Sequence, residues 1–501
     1  MSYIIAQVKG KTMLASTRTY DFKTKPYEHQ AVALKTSCFS EYYALYMEMG
    51  TGKSKVIVDT MASLFEAGHI DTVLILAPKG VYDNWVRAEI PRHLPDRVQH
   101  NLVRWQNNLT KKFIAEMQGI LYPATREAET LHTLVMNIEA MSTKKGASTV
   151  LKYLKNNPKN LLVVDESTAI KNHKALRTKN IIKAAQFAKY RRILTGSPIT
   201  KSPMDLYSQC TFLSPKALGF KSFYAFRNRY ARMQQRHIGP RSIQEIVGYQ
   251  RLDELNEKLN RFSLRTLKKD CLDLPEKIYM RRDVPLTAEQ ERLYRQMKKL
   301  ALAQFDQGEL ATTSSVLTQI MRLQQITCGF LKPDNGEIEE IKNNRLDELM
   351  AVVEELQGKA IIWASWTHDI VRIDKALRRR FGDEAAASYF GETEQKHRQE
   401  IVEKFQDPDS ELRFFVGQPR TGGFGLTLSV AQTVIYFSNS YDLEIRLQSE
   451  DRAHRIGQEN NVTYIDLVTP DTIDEKILQA LRDKINISSQ VLGEKAREWL
   501  I

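Results

Sequence analysis

Three observations predict an α/β fold of two similar lobes, each a parallel sheet flanked by helices. Short apolar runs alternate with helical stretches along much of the 501-residue chain, the pattern of parallel strands covered by helices. Each run in the first half leads into a polar or glycine-containing turn, where open sheets of this kind place ligand-binding residues. The pattern breaks near Pro203 and restarts near Ala360, so two such units are separated by a different stretch.

In the first half the strand candidates include Thr72–Ala77, Leu134–Asn137, Leu161–Val164 and Arg192–Thr195. In the second half they are Ala360–Ala364, Ala386–Phe390, Leu412–Val416, Thr433–Phe437 and Val462–Leu467. From about Pro203 to Asn344 the chain is charged and helix-rich, with one strand-like segment near Lys277–Val284. It reads as helical insertions plus the crossing between lobes. The expected division is a short N-terminal element over 1–20 (a strand pair or a flexible arm) and a first lobe over 21–275, with a helical insertion from about 203. The crossing and a further helical insertion occupy 276–344, and a second lobe with C-terminal helices occupies 345–501. No period of 20–50 residues repeats, which excludes a solenoid.

Composition narrows the function classes. With 42% hydrophobic and 27% charged residues, the chain has the balance of an ordinary globular protein. Its 73 Lys plus Arg against 60 Asp plus Glu leave a net charge of +13. That surplus favours a polyanionic partner, because counterions released from phosphates drive the binding of Lys and Arg. Cys38, Cys210, Cys271 and Cys328 are scattered, unlike a zinc knuckle or disulfide framework. No signal-like apolar segment or apolar run of eighteen residues is present, so a cytoplasmic location without membrane partners is expected.

The strongest local signal is Met47-Glu-Met-Gly-Thr-Gly-Lys-Ser54. A glycine-bearing turn lets backbone N–H groups converge on phosphates at the start of the following helix. Gly50, Thr51 and Gly52 would form the cradle, Lys53 would reach the β- and γ-phosphates, and the Ser54 hydroxyl would bind Mg²⁺. The strict phosphate-loop pattern has glycine where this chain has Met47. Leu161-Leu-Val-Val-Asp165-Glu166 supplies an apolar strand ending in two acids. Asp165 would hold Mg²⁺, and Glu166 would orient and deprotonate the attacking water. Arg452 and Arg455 lie three apart in QSEDRAHR; on a helix they would share a face and, across a cleft, act as arginine fingers.

The order of these signals resembles the superfamily-two helicases, and within them the Swi/Snf-type double-stranded DNA translocases. Tyr27-Glu-His-Gln30 resembles the adenine-reading element, with Gln30 in the reading position. Ala77–Trp85, VVDESTAIKN (Val163–Asn172) and Leu194-Thr-Gly-Ser-Pro198 resemble successive motifs of the first lobe. Gly422-Gly-Phe-Gly-Leu-Thr-Leu428, the aromatic stretch Tyr436–Asp442 and DRAHRIGQ (Asp451–Gln458) resemble those of the second. The resemblance runs from about Tyr27 to Ile477. It implies two RecA-like lobes, ATP and Mg²⁺ as cofactors, and Gly425 and Gln448 as further nucleotide contacts. Three departures stand out: Ser167-Thr168 where the family usually has a small residue and a histidine, Lys201 near a usual Asn, and Thr427 for another Asn.

The resemblance further implies a groove tracking the DNA backbone, contacted by Lys79, Gly80, Asn137, Gly196, Ser197, Arg420, Gly422 and Gly423. Backbone N–H groups and small hydroxyls suit a motor that must step across every sequence. The basic stretch Leu264–Lys277 is similar to a family segment near the linker, where it would meet DNA or the opposing lobe. Trp363 and Trp366 read as core and lobe-surface aromatics. The expected function is ATP-driven movement on duplex or branched DNA by a monomer, with any protein recruiter unidentified. A strand-separating helicase for DNA or RNA, and a DNA-binding scaffold with slow hydrolysis, are the alternatives. The lean chain, without evident chromatin-reading modules, suits a bacterial or viral setting.

Overall fold

The structure, a computed structural model, describes residues 20–79, 81–106, 110–122, 129–199, 202–238, 241–271, 275–306, 313–332, 337–422, 426–439, 442–455, 457–479 and 481. Residues 1–19 of the expected N-terminal element, Lys201 and the terminal segment beyond 481 lie outside the described residues. In chain order the strands are β1 (Tyr42–Met47), β2 (Thr72–Ala77), β3 (His100–Arg104), β4 (Leu131–Asn137), β5 (Asn160–Asp165), β6 (Tyr190–Leu194), β7 (Ala231–Ile238), β8 (Arg241–Tyr249) and β9 (Ser263–Thr266). They continue with β10 (Lys277–Asp283), β11 (Phe330–Leu331), β12 (Glu339–Glu340), β13 (Ala360–Trp363), β14 (Ala386–Tyr389), β15 (Phe414–Gly417), β16 (Thr433–Tyr436) and β17 (Val462–Val468).

Two separate sheets result. The first has seven strands in the order β3-β4-β2-β5-β6-β1-β9, and the second has six in the order β10-β17-β16-β13-β15-β14. Every pairing within them is parallel. Parallel strands need helical crossovers, which bury both faces of the sheet. The core shows this residue by residue. Leu74 and Leu76 of β2 join one apolar cluster, while Val73, Ile75 and Ala77 join the cluster on the opposite face. In the second sheet Ile362 and Ile361 divide in the same way, as the two-residue strand period requires.

The expected strands all appear, within a few residues of their predicted ends. The stretch between Pro203 and Asn344 departs from the helical expectation. It holds the antiparallel hairpin β7–β8, the short pair β11–β12 and β9, which forms the edge of the first sheet. Gln234, Gln235 and Arg236 interrupt any apolar alternation in β7, so periodicity cannot find it. Among the described residues, no helix is long and apolar enough to cross a membrane.

Each lobe contains a fully buried arginine that ties its elements together. Arg192 on β6 donates through Nη2 to the carbonyls of Ser37 (2.6 Å), Cys38 (2.8 Å) and Ser40 (2.7 Å), capping the end of the helix Glu28–Ser37. Arg345 pairs with Asp474 and donates to the Phe437 carbonyl at 2.6 Å and to Thr469 Oγ1 at 2.9 Å. Replacing Arg192 with Met should cost about 3 kcal/mol or more, because it strands several carbonyls away from water. Thermal unfolding of the intact chain should show a midpoint lowered by several degrees; an unchanged midpoint would mean that those carbonyls find other donors.

Candidate functional site

All strands of the first sheet point the same way, so β1, β5 and β6 end on one edge. Leu45 of β1, Leu194 of β6 and Asp165 of β5 lie in register across it, two strand spacings or about 10 Å from end to end. Met47, at the position where the strict motif has glycine, is the last residue of β1 and is fully buried in the core. The turn is made instead by Gly50 (φ +79°) and Gly52 (φ +87°), backbone conformations that glycine adopts without a side-chain clash. A Cβ on Gly52 would also lie 2.2 Å from Gln30 Nε2. The helix Lys53–Glu66 begins immediately after this turn.

The buried Lys53 ammonium donates back into its own loop, to the carbonyls of Met47 (3.0 Å) and Glu48 (3.4 Å). Gln30 braces the loop from outside. Its Nε2 donates to the Thr51 carbonyl at 3.0 Å, its Oε1 accepts from the Tyr27 N–H at 3.1 Å, and Thr51 Oγ1 donates to the Glu48 carbonyl at 2.7 Å. Ser54 is partly buried on the first helical turn.

Asp165 and Glu166 are both buried at the end of β5. Asp165 is held on both oxygens, by Trp85 Nε1 at 2.8 Å and by the Glu166 N–H at 2.9 Å. Glu166 adopts a left-handed backbone (φ +46°), a strained state for a side-chain-bearing residue. Burial raises the pKa of both carboxyls and pushes Glu166 up to about 8, against the pull of the Lys53 ammonium. The charges of Asp165 and, from the second lobe, Glu444 push Glu166 the same way as burial, while Arg452 opposes them.

The arginines arrive from the second lobe in a geometry the spacing did not foresee. The helix Leu443–Glu450 stops before them, so Arg452 and Arg455 lie in the following turn rather than on a helical face. Hydrogen bonds three residues apart, Arg452 N to Ser449 O and Ala453 N to Glu450 O, tighten the chain there and end the helix. Both guanidinium groups still meet at one place. Each donates to the Leu426 carbonyl, at 2.9 Å from Arg452 and 3.1 Å from Arg455. Arg455 also donates to Thr427 Oγ1 at 2.7 Å, so the threonine in place of the usual Asn serves as an acceptor. Arg452 Nη2 comes within 3.5 Å of Met49 Sδ in the phosphate loop, and a Cβ on Gly50 would be 3.1 Å from Arg455 Cβ. Gln448 is buried with its amide nitrogen on Glu444 (3.1 Å) and its Oε1 unpartnered among the described residues. Gly425 lies outside the described residues.

The expected groove residues scatter. Lys79 lies two residues beyond β2 and Asn137 ends the neighbouring strand β4, and both donate to the Glu139 carboxylate, from the Lys79 N–H at 3.4 Å and Asn137 Nδ2 at 3.3 Å. Arg420 is exposed, and Gly422 ends the short helix Pro419–Gly422 that follows β15. Ser197 is partly buried, with its N–H on Thr195 Oγ1 at 3.1 Å. Gly196 lies in the turn after β6. It is buried beneath the phosphate loop, where a Cβ would stand 3.2 Å from the Met49 nitrogen, and its carbonyl accepts from Arg265 at 2.6 Å. Gly80 and Gly423 lie outside the described residues.

Sequence reasoning assigned no role to Trp85, the indole donor on Asp165, and left Lys268 undecided between DNA and the opposing lobe. Lys268 follows β9, its N–H donates to Glu48 Oε2 at 2.7 Å, and its buried ammonium crosses to Asp451 Oδ1 (2.6 Å) and the His454 carbonyl (2.5 Å). Lys268 and Lys277 hold the Asp451 carboxyl below its usual range against the effect of burial. The basic stretch was the available signal, and it meets the second lobe. Lys268→Met should therefore loosen the lobe contact, and small-angle scattering of the ligand-free chain should show a larger radius of gyration. An unchanged profile would mean that the remaining contacts hold the lobes alone.

Two family models match the chain in tandem: the SNF2-related domain over residues 27–330 and the helicase conserved C-terminal domain over residues 341–457. The chain is 27% identical over 469 residues to YwqA of Bacillus subtilis, provisionally named an ATP-dependent helicase/translocase, covering 90% of this chain and 46% of that protein. It is 25% identical over 492 residues to the transcription regulatory protein SNF2 of Saccharomyces cerevisiae, covering 93% of this chain and 28% of that one. The chain thus spans less than half the length of these curated relatives. Among solved structures, the SWI2/SNF2 ATPase core of Sulfolobus solfataricus in complex with dsDNA is 22% identical with a TM-score of 0.41, covering 97% of this chain and 98% of that one. The SNF2-related match takes in more than half of the sequence, and the chain belongs to that family.

Proposed function

We propose that the chain is an ATP-hydrolysing motor that tracks along double-stranded DNA and remodels protein–DNA complexes or branched DNA. One observation carries this reading. Lys53, Asp165 and Glu166 from the first lobe face Arg452, Arg455 and Gln448 from the second around a single cleft. The surplus of +13 supports a polyanionic track. So do the names of the relatives, a helicase/translocase and a transcription regulatory protein. The same reading has the motor act as a monomer, as the resemblance implies, and in the cytoplasm.

The donor set fits a divalent cation. Two buried carboxylates, both raised in pKa by burial, favour a cation beside them. Asp165 and the Ser54 hydroxyl would hold Mg²⁺, which when bound neutralises phosphate oxygens. Lys53 binds the β- and γ-phosphates, Glu166 orients the attacking water and accepts its proton, and Arg452 with Arg455 stabilises charge building on the transferred phosphoryl group. Because the arginines belong to the other lobe, hydrolysis depends on cleft closure. Reopening then moves one lobe past the other, and that relative motion is the step.

The test is ATP hydrolysis by the intact chain with no nucleic acid, single-stranded DNA, duplex DNA, branched DNA and RNA, each at two salt concentrations. Strong stimulation by plain duplex that fades at higher salt is expected. Stimulation only by single strands or RNA would transfer the chain to the strand-separating helicases. No hydrolysis under any condition would leave a binding scaffold. Glu166→Gln should lower the stimulated kcat by roughly 10²–10⁴, and a variant with unchanged turnover would remove Glu166 from the mechanism.

A further inference from the structure

The departure at Ser167-Thr168 has a structural answer on the opposite lobe. Directly after Glu166 the chain makes a 3-10 turn, Ser167–Ile170. In such a turn, side chains three residues apart stand nearly above one another, so Thr168 and Lys171 point the same way. Both point at Glu444. Thr168 Oγ1 donates to Glu444 Oε1, and Lys171 Nζ lies 3.7 Å from Glu444 Oε2.

The turn itself is anchored to its own lobe. Ser167 Oγ donates to Gln209 Oε1 at 2.6 Å, and Gln209 Nε2 donates in turn to the carbonyls of Pro198 (2.8 Å) and Asp205 (2.9 Å). On the other side, Glu444 sits in the first turn of the helix Leu443–Glu450, whose Asp442 cap accepts from the Glu444 N–H at 3.1 Å. One turn further along, Gln448 Nε2 donates to Glu444 Oε1 at 3.1 Å, as neighbours four residues apart do on a helix. The main-chain carbonyl of Gln448 accepts from Arg452 Nε at 2.9 Å. The contacts thus run from Glu166 along the chain to Thr168, across the cleft by one hydrogen bond to Glu444, along the helix to Gln448, and from its main-chain carbonyl to Arg452.

A threonine hydroxyl has a short reach, so this bond forms only when the lobes are together. Burying a carboxylate is repaid only by the partners it meets, and two of the partners of Glu444 belong to the first lobe. Opening the cleft breaks both contacts and returns the carboxylate to water. The contact therefore reports closure to the residues that need it.

We propose that Glu444 is a positioning residue: through Thr168 and Lys171 it senses cleft closure, and through Gln448 it sets Arg452 against Glu166. The proposal rests on the ATP-hydrolysing reading above. Its test measures kcat and KM for ATP with the intact chain at saturating duplex DNA, for Thr168→Val, Thr168→Ser, Glu444→Ala and the Thr168→Val/Glu444→Ala pair. Thr168→Val and Glu444→Ala should each lower kcat about tenfold, the size expected for one lost hydrogen bond to a charged group, with KM changed less than about twofold. Thr168→Ser keeps the hydroxyl and should stay within about twofold of the parent. The double variant should be no slower than the slower single one, as for residues on one path. Parent-like turnover in Thr168→Val overturns the proposal, and so do losses that multiply in the double variant or failure of serine to rescue. An inactive parent chain would sink the ATP-hydrolysing reading instead, before any variant is compared.

Discussion

Asp165 and Glu166 leave water at the end of β5, and much of the site is arranged around the cost of doing so. Isolated charges in a protein interior are unfavourable unless other groups compensate them. Asp165 takes the Trp85 indole and the Glu166 N–H as donors. Glu166, in a left-handed backbone, feels Lys53 from its own lobe and Arg452 from the other. The residual effect of burial keeps both carboxyls raised. The protonation of Glu166 thus depends on side chains of the second lobe as well as the first.

The sheet topology makes that dependence possible. Parallel strands buried on both faces leave only their ends to carry ligands, and β1, β5 and β6 deliver the phosphate loop, the acids and the Gly196 turn to one edge. Buried arginines stiffen each lobe separately, Arg192 by capping a helix and Arg345 by joining the ends of β16 and β17 to Asp474. Contacts between lobes are of another kind. Lys268 with Asp451, Thr168 with Glu444 and Arg452 with Met49 are polar side-chain contacts around the cleft. Apolar cores joined by polar contacts leave the two lobes able to part and meet again.

The departures from the family pattern become intelligible in this setting. Met47 is a core residue ending a strand, and the bend it would have made falls to Gly50 and Gly52. Thr427 still offers Arg455 an acceptor. Ser167 and Thr168 divide two tasks between two hydroxyls, one fastened to Gln209 within the lobe and the other extended to Glu444 across the cleft.

Sequence alone determined the two-lobe α/β class and singled out residues that the fold gathers at one end of the first sheet. Strands such as β2, β5, β13 and β16 are buried along their whole length, so each reads as a run of mainly apolar residues without alternation. Lys53, Asp165 and Glu166 were legible because each sits in a short motif that can be read without knowing the fold. The polar hairpin β7–β8 and the four-residue edge strand β9 were not, because neither carries a periodic apolar face. Only the tertiary structure decided which groups meet. Trp85 reaches Asp165 across 80 positions, Lys268 reaches Asp451 across 183, and Thr168 reaches Glu444 across 276. Local composition does not encode such pairings. They follow from the strand order and from how the two lobes sit together, which is why the buried Gly196, the turn bearing Arg452 and Arg455, and the Glu444 contact emerged only when the chain was folded.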